Sequence, residues 1–250
     1  RVAASPSRGQ HQRPGKAGSA VFLGPAFDTL GGMTAALSPS DLPALPADAL
    51  ARLQALMADG RRKLLGLVGA PGAGKSTLAL ALLRAVGAGR AQVVPMDGFH
   101  LANVELQRLG RAGRKGAPDT FDSAGYVALL QRLRTQGPDD PIVYAPEFRR
   151  EIEEPIAGAI AVLPSTQLVI TEGNYLLHDA GPWAGAAGML DEAWYVDIDD
   201  ALREERLLKR HQQFGRSAEA ARDWVAGTDA PNARLIAATR GRAHHVLHWS

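Results

Sequence analysis

The sequence predicts an α/β fold of three layers, with helices on both faces of a parallel sheet, and three observations support this prediction. Short apolar runs of strand length alternate along the chain with stretches of helical periodicity. A glycine-rich segment connects the first of these runs to a helix. Acidic residues follow two other runs, at the sheet edge where ligands bind in folds of this class.

Composition excludes several classes of protein. The 250 residues are 46% hydrophobic, which is typical of a globular chain with a sizeable core. No apolar run reaches about 18 residues, so no membrane-spanning helix is predicted. The chain contains no cysteine, which excludes disulfides, cysteine-bound zinc and cysteine nucleophiles and favours a reducing, cytoplasmic location.

The formal net charge of +2 is unevenly distributed. Residues 1–32 hold four basic residues and one acidic residue without hydrophobic periodicity. We therefore predict a disordered basic tail or an upstream extension there, with Met33 as a candidate natural start. The domain is then 33–250, where 24 basic residues face 25 acidic ones. That balance does not favour a nucleic-acid partner.

The first elements of the domain lead to the glycine-rich segment. Leu50, Leu53 and Leu56 recur at helical spacing, and Gly60 marks the predicted end of the helix. The run LLGLVGA, residues 64–70, has the length of a strand. A second helix is predicted over 77–87.

The segment GAPGAGKS, residues 69–76, fits the phosphate-binding pattern G-x-x-x-x-G-K-[ST] between a predicted strand and a predicted helix. Its glycines let backbone N–H groups reach phosphate oxygens. Lys75 is expected to contact the β- and γ-phosphates, and the Ser76 hydroxyl to bind Mg²⁺. Neither an N-K-x-D guanine motif nor an L-S-G-G-Q transporter signature is present. The predicted nucleotide-binding set is Gly69, Ala70, Pro71, Gly72, Ala73, Gly74, Lys75, Ser76 and Thr77.

A second apolar run, QVVPM at 92–96, is followed by DGFH, so Asp97 lies at a strand end that faces a ligand crevice. With the phosphate-binding loop before it, this pattern resembles the phosphoribulokinase/uridine kinase family of P-loop kinases, whose relatives include bacterial pantothenate kinase. The resemblance covers about residues 64–249. It implies a P-loop nucleoside triphosphate hydrolase fold with a small lid, ATP and Mg²⁺ as cofactors, and Asp97 as the base that accepts the acceptor's hydroxyl proton. The alternative role for Asp97 is a helix N-cap.

The segment RKGAPDTFD, residues 114–122, resembles the family's substrate-binding stretch. The resemblance implies Asp119 and Phe121 as substrate residues, with Lys115 beside them. Residues 115–117 depart from the family pattern, which weighs against a nucleoside substrate. His100 could contact substrate or contribute only to packing, and Asp122 is also a natural N-cap for a helix over 124–133.

YAPEFRRE, residues 144–151, is similar to the strand and loop that line the family's acceptor pocket. Tyr144 and Glu147 are the candidates there. Arg149 and Arg150 would suit an anionic substrate. The alternative is a solvated charge cluster balanced by the neighbouring glutamates.

The run LVITEGNY, residues 168–175, reads as a buried parallel strand that ends in Glu172. The glutamate followed by glycine resembles the family's magnesium-associated acid, although a structural ion pair is the alternative. The implied metal set is Ser76, Asp97 and Glu172.

A further strand is predicted over 193–198, and Asp199 and Asp200 can cap the helix after it. That helix carries Arg203, Arg206 and Arg210 on one face. Residues 206–216 resemble the family's lid, which implies Arg206 or Arg210 as a catalytic arginine; the alternative is a solvated helix face.

The C-terminal segments complete the predicted domain. Residues 228–236 resemble the family's loop near the adenine ring, with Asn232 as the cofactor-binding candidate. The segment HHVLHW, residues 244–249, is predicted as a last strand with structural histidines.

Together these features predict an ATP-dependent kinase that phosphorylates a hydroxyl of a small molecule. A nucleoside, a pantothenate-like acid and a sugar remain open as acceptor, and the family suggests a possible homodimer. Two alternatives remain open, an ATP-binding regulatory or transport-associated protein without an acceptor, and an enzyme that transfers phosphate to water.

Overall fold

The computed structural model describes residues 42–87 and 89–249, so the predicted tail and Met33 lie outside the described residues. In chain order the helices and strands of this part are α1 Ala47–Leu56, β1 Lys63–Val68, α2 Lys75–Val86, β2 Ala91–Pro95, α3 Asn103–Arg108, α4 Ser123–Thr135, β3 Val143–Arg149, β4 Glu154–Val162, β5 Leu168–Gly173, β6 Glu192–Asp197, α5 Asp200–Gln213, α6 Ala218–Trp224, α7 Ala230–Ala237 and β7 His245–His248. The α2 helix separates β1 from β2 as the sequence predicts, whereas β3 to β6 and α5 to α7 follow one another without alternation.

Five parallel strands form the central sheet in the order β2-β5-β1-β6-β7. Every residue of β5 is buried, which explains why its sequence is an uninterrupted apolar run up to Glu172. In the sheet register Glu172 pairs with Leu67 of β1 and with Pro95 of β2. The carboxyl ends of these three strands therefore meet at one edge.

Two apolar clusters cover the two faces of this sheet. On one face, Leu65 and Ile170 pack with Leu53 of α1 and Leu78 of α2. On the other face, the cluster contains Val94, Val169 and side chains of α4. This arrangement confirms the predicted three-layer α/β fold.

Strands β3 and β4 form a separate antiparallel sheet of two strands, here called the hairpin. Its register shifts between Ala145 and Glu147. The turn Met96–Phe99 after β2 packs against it so closely that a Cβ on Gly98 would overlap the carbonyl oxygen of Pro146. The hairpin is thus held directly against the strand end that carries Asp97.

One local expectation is wrong. The segment 228–236, predicted as a loop, is helical, because a π-helical turn at Val225–Asp229 runs directly into α7. Pro231 stands in the first turn of α7, a position that tolerates proline because the N–H there has no intrahelical partner.

The described helices include none that is both long and apolar enough to cross a membrane.

Candidate active site

The phosphate-binding loop follows β1 and ends at the first residue of α2. Gly72 and Gly74 adopt φ angles of 83° and 85°, a region that favours glycine. No side chain caps the start of α2, so its first N–H groups and its positive dipole end are free to bind an anion. A Cβ on Gly72 would lie 2.9 Å from the Arg203 carbonyl oxygen, which shows that α5 packs directly on the loop.

Lys75 is buried and is held by three oxygen acceptors. Its Nζ donates to the carbonyl oxygens of Gly69 at 2.9 Å and Ala70 at 3.1 Å, and to Oδ1 of Asn174 at 2.8 Å. Burial lowers the pKa of Lys75, while Glu172 and Asp97 act in the opposite direction. The ammonium group is thus fixed at the loop, beside two carboxylates. Asn174, directly after β5, is a contact that the sequence analysis missed, although its place in the segment EGN two residues after Glu172 was a usable signal.

Ser76 and Glu172 are joined by a hydrogen bond. Oγ of Ser76 donates to Oε1 of Glu172 at 2.9 Å. Burial raises the pKa of Glu172, and the nearby charge of Asp97 raises it further. A hydroxyl and two carboxylates therefore face one another across the ends of three strands.

Asp97 is the third member of this group. Burial alone would raise the pKa of its carboxyl, but His100 and the cations Arg150, Lys75 and Arg210 outweigh that effect and lower it. An Nη of Arg150 lies 3.4 Å from Oδ2 of Asp97. The pKa of Asp97 is thus lowered while that of Glu172 is raised, as expected when two acids share a site and one of them ionises more readily.

One cavity of about 530 Å³ contains both halves of the predicted site. Its nucleotide half includes Pro71, Gly72, Lys75 and Ser76, beside Asp97 and Glu172. Its other half includes three of the predicted substrate residues, His100, Lys115 and Phe121. The rings of His100 and Phe121 stack at 4.0 Å, and Nζ of Lys115 lies 5.0 Å from the centre of the Phe148 ring.

Asp119 and Tyr144 lie outside the lining of this cavity. The carboxylate of Asp119 is bound by the guanidinium groups of Arg114 and Arg111 at the surface. Tyr144, with 55% of its surface exposed, projects from the hairpin into solvent. The structure therefore does not bring these two candidates to the cavity.

Glu147 and Arg149 also lie outside the lining, and strand alternation accounts for this. The two side chains form an ion pair at 2.8 Å, whereas Phe148 and Arg150 line the cavity. Since successive side chains of an extended strand point to opposite faces, Phe148 and Arg150 face the cavity, while Glu147 before them and Arg149 between them face away from it. That period of two was a usable signal in the sequence.

The arginines of α5 have three different environments. Arg203 pairs with Asp200 at 3.0 Å. The guanidinium of Arg206 lies near Gly74, where a Cβ would be 3.6 Å from one of its nitrogens. Arg210 lines the cavity, and burial together with the charge of Arg150 lowers its pKa. The structure thus places Arg210, rather than Arg206, within the cavity.

Residues between the end of α5 and the start of α7 also line the cavity, and His211, Arg216, Trp224 and Asp229 among them were not predicted. The Arg216 guanidinium stacks over the Trp224 ring at 3.9 Å, and both residues line the cavity. Nε2 of His211 and Oδ2 of Asp229 are 2.7 Å apart. Asn232 lines the cavity too, and its Nδ2 donates to the carbonyl oxygen of Gly116 at 3.3 Å. Asn232 therefore contacts the segment of the predicted substrate residues.

Comparisons with known proteins identify kinases. No protein-family model matches the chain. The chain is 36% identical over 152 residues to an "ATP-dependent kinase-like protein" of Aspergillus versicolor, a match that covers 58% of this chain and 88% of that protein. It is 34% identical over 168 residues to a "Putative uridine kinase" of Schizosaccharomyces pombe, covering 64% of this chain and 71% of that protein.

A solved structure extends the similarity to the fold. A "putative fructose transport system kinase" from Silicibacter sp. TM1040 superposes with a TM-score of 0.71 at 38% sequence identity, covering 79% of this chain and 98% of that one. The phosphate-binding loop, the three-layer fold and these relatives agree, and the chain belongs to the phosphoribulokinase/uridine kinase family of P-loop kinases as an ATP-dependent small-molecule kinase.

Proposed function

We propose that the protein transfers the γ-phosphate of ATP to a hydroxyl group of a small acceptor bound between the phosphate-binding loop and the hairpin. The single observation that carries this proposal is that one cavity is lined both by Lys75 and Ser76 of the loop and by Asp97, His100 and Phe121. A nucleotide and an acceptor can therefore meet within one cleft.

Each group has a role in this transfer. The loop amides, Lys75 and the start of α2 hold the triphosphate. The acceptor hydroxyl bonds to the γ-phosphorus while the bond to the ADP oxygen breaks, and Asp97 takes the hydroxyl proton. Arg210 stabilises the charge on the transferred phosphoryl group.

The donor set around Ser76 fits Mg²⁺. Magnesium is commonly bound by one or two carboxylates together with substrate phosphates. Ser76, Glu172 and Asp97 supply a hydroxyl and two acids, and all three line the cavity beside the loop. When bound, Mg²⁺ would neutralise phosphate charge. The hydrogen bond between Ser76 and Glu172 would fix the orientation of the hydroxyl.

The acceptor class is proposed from the chemistry that the relatives' names share. One relative is named a uridine kinase and a structural neighbour a fructose transport system kinase. Both names refer to molecules that carry sugar hydroxyls. A hydroxyl of a sugar-like or polyhydroxylated molecule is therefore the first acceptor to test.

The variant Asp97→Asn tests the proposal, because an amide cannot accept the hydroxyl proton. Turnover with a panel of sugars, nucleosides and hydroxy acids should fall by about 100- to 10,000-fold, while stabilisation by Mg²⁺-ATP in a thermal-shift assay persists. The matched control is Asp122→Asn. Asp122 caps α4 through a hydrogen bond to the Gly125 N–H, which asparagine can also make, so turnover should be retained. Undiminished turnover of Asp97→Asn would refute the assignment.

A further inference from the structure

Arg150 is a half-buried cation of the cavity wall, and most of its hydrogen-bond donors have no partner within the described residues. Among residues 42–87 and 89–249, the only hydrogen bond of its side chain is the long contact of 3.4 Å with Asp97. A guanidinium has five N–H donors. The neighbouring Arg149, in contrast, has a partner in Glu147 at 2.8 Å. Guanidinium N–H groups that face a cavity without a carboxylate at hydrogen-bond distance favour binding of an anionic ligand.

Building on the proposed function, we propose that the acceptor carries an anionic group, a carboxylate or a phosphate, and that Arg150 binds it. The position of Arg150 assigns it to the acceptor rather than to the nucleotide. It directly follows β3 of the hairpin, two residues after Phe148, and the Phe148 ring lies 4.8 Å from that of His100 on the acceptor wall. Lys75 and Arg210 already offer two cations to the triphosphate.

The charges around Arg150 support a second anion in the cavity. Burial and then the charge of Arg150 lower the pKa of Arg210, so two guanidinium groups lie close together at this end of the cavity. The other acceptor-side cation, Lys115, is already bound by Asn103 and by the backbone carbonyl of Glu153. Of these two acceptor-side cations, Arg150 is therefore the one with hydrogen-bond donors left for a ligand.

His100 adds a recognition group for an acceptor with several hydroxyls. Its Nδ1 is buried and has no hydrogen-bond partner within the described structure. The imidazole is neutral at physiological pH, because burial lowers its pKa to about 4. Since His100 lines the cavity, a small movement of its ring would let an acceptor hydroxyl supply the missing hydrogen bond, which fits a hydroxy acid or a sugar phosphate.

The distance between Arg150 and Asp97 limits the size of the acceptor. If the reacting hydroxyl binds Oδ2 of Asp97 and the anionic group binds the Arg150 nitrogen that contacts it, two ordinary hydrogen bonds and the 3.4 Å contact separate the two groups by at most about 9 Å. The acceptor is then a compact molecule, of the size of a glycerate or a hexose phosphate.

The test uses matched pairs of acceptors that differ in charge. Turnover with Mg²⁺-ATP is measured for D-glycerate against glycerol, which tests a carboxylate, and for fructose 6-phosphate and fructose 1-phosphate against fructose, which tests a phosphate. The wild type, Arg150→Gln and the matched control Arg149→Gln are compared. Arg150→Gln should raise KM for the anionic acceptor by about 10- to 100-fold and reduce its advantage in kcat/KM over the neutral partner. Arg149→Gln should retain that advantage.

Comparing each charged acceptor with its neutral partner distinguishes a role of Arg150 in acceptor binding from a role in catalysis through Asp97 or the transferred phosphoryl group. If Arg150 only supports catalysis, Arg150→Gln lowers kcat equally for the charged and neutral partners, and the inference is overturned. Equal use of both partners by the wild type overturns it too, but leaves the proposed function standing. ATP hydrolysis without transfer to any acceptor would overturn both.

Discussion

The hydroxyl of Ser76 donates a hydrogen bond of 2.9 Å to the carboxylate of Glu172 and thereby joins the start of α2 to β5. The two residues are 96 positions apart in the sequence, and the parallel pairing of β1 with β5 brings them together. The hydroxyl is therefore oriented by an interior strand of the sheet, which is paired with β1 on one side and with β2 on the other.

Replacing Glu172 with glutamine should weaken the use of Mg²⁺. The neutral amide removes a charge beside the proposed metal position, so the Mg²⁺ concentration for half-maximal turnover should rise by about 10- to 100-fold. Titration of turnover with MgCl₂ at saturating ATP measures this. The control is Glu192→Gln, since Glu192 is a half-buried strand residue that pairs with Arg52 away from the cavity. An unchanged Mg²⁺ requirement in Glu172→Gln would contradict the assignment.

Arg210 and Arg206 should differ in their effects on catalysis. Arg210 lines the cavity, whereas the Arg206 guanidinium lies beside Gly74 of the loop. Arg210→Ala should lower kcat by about 1000-fold or more, the usual loss for an arginine that stabilises a transferred phosphoryl group. Arg206→Ala should change mainly KM for ATP. Single-turnover measurements with radiolabelled ATP distinguish the two, and a larger loss of kcat in Arg206→Ala would reverse the assignment.

Gly98 should be intolerant of a side chain. A methyl group there would overlap the carbonyl oxygen of Pro146, so the hairpin must shift away from Asp97. We expect Gly98→Ala to lower the free energy of unfolding by about 1–3 kcal/mol, the usual cost of overpacking, and to impair turnover as well. Urea denaturation measures the first effect. Gly113→Ala is the matched control, because nothing lies within 4 Å of the added atom and its φ is not in the left-handed region.

The pH dependence of stability should report on His100. Burial lowers its pKa from 6.5 to about 4, although Asp97 acts in the opposite direction. As the pH falls below 6.5, the unfolded imidazole therefore gains a proton that the folded one does not. The free energy of unfolding should then fall by about 2 kcal/mol between pH 7 and pH 5 from this group.

His100→Gln should remove this part of the pH dependence. Urea midpoints for the wild type and the variant at pH 7, 6 and 5 measure it. His248→Gln serves as the control, because the His248 side chain is 81% exposed, and it should follow the wild type. If His100→Gln loses as much stability as the wild type over this range, His100 is not the group responsible.

The strands of the central sheet could be predicted because a strand buried on both faces appears in the sequence as a continuous apolar run. The runs at 64–70, 92–96, 168–175 and 193–198 coincide with β1, β2, β5 and β6 to within two residues at each end. Strand β4 has no such signal, since its exposed residues include Ala157 and Gly158 and its pattern does not alternate clearly. The helix α7 escaped prediction because Pro231 and Asn232 are typical of loops, whereas packing of the buried Ile236 supports a helix.

Within the candidate site, residues whose position follows from the end of a parallel strand could be predicted from the sequence. Residues whose role depends on the direction of the side chain could not. Lys75, Ser76, Asp97 and Glu172 end up together because they lie at the ends of adjacent parallel strands. The choice between Arg149 and Arg150, or between Arg206 and Arg210, depends on which face of an element meets the cavity. That face is determined by packing against segments that are distant in the sequence, which the sequence pattern does not reveal.

The hairpin is a sheet of its own, separate from the five strands that carry the phosphate-binding loop and the two acids. Phe148 of β3 and Arg150 directly after β3 line the cavity. The hairpin has no backbone pairing with the central sheet. We expect substitutions at the cavity-facing positions of this unit, away from its contact with Gly98, to change acceptor preference while the phosphate-binding loop stays in place. The hairpin is therefore where we expect related enzymes to differ in acceptor preference, and where substitutions designed to change that preference should be made.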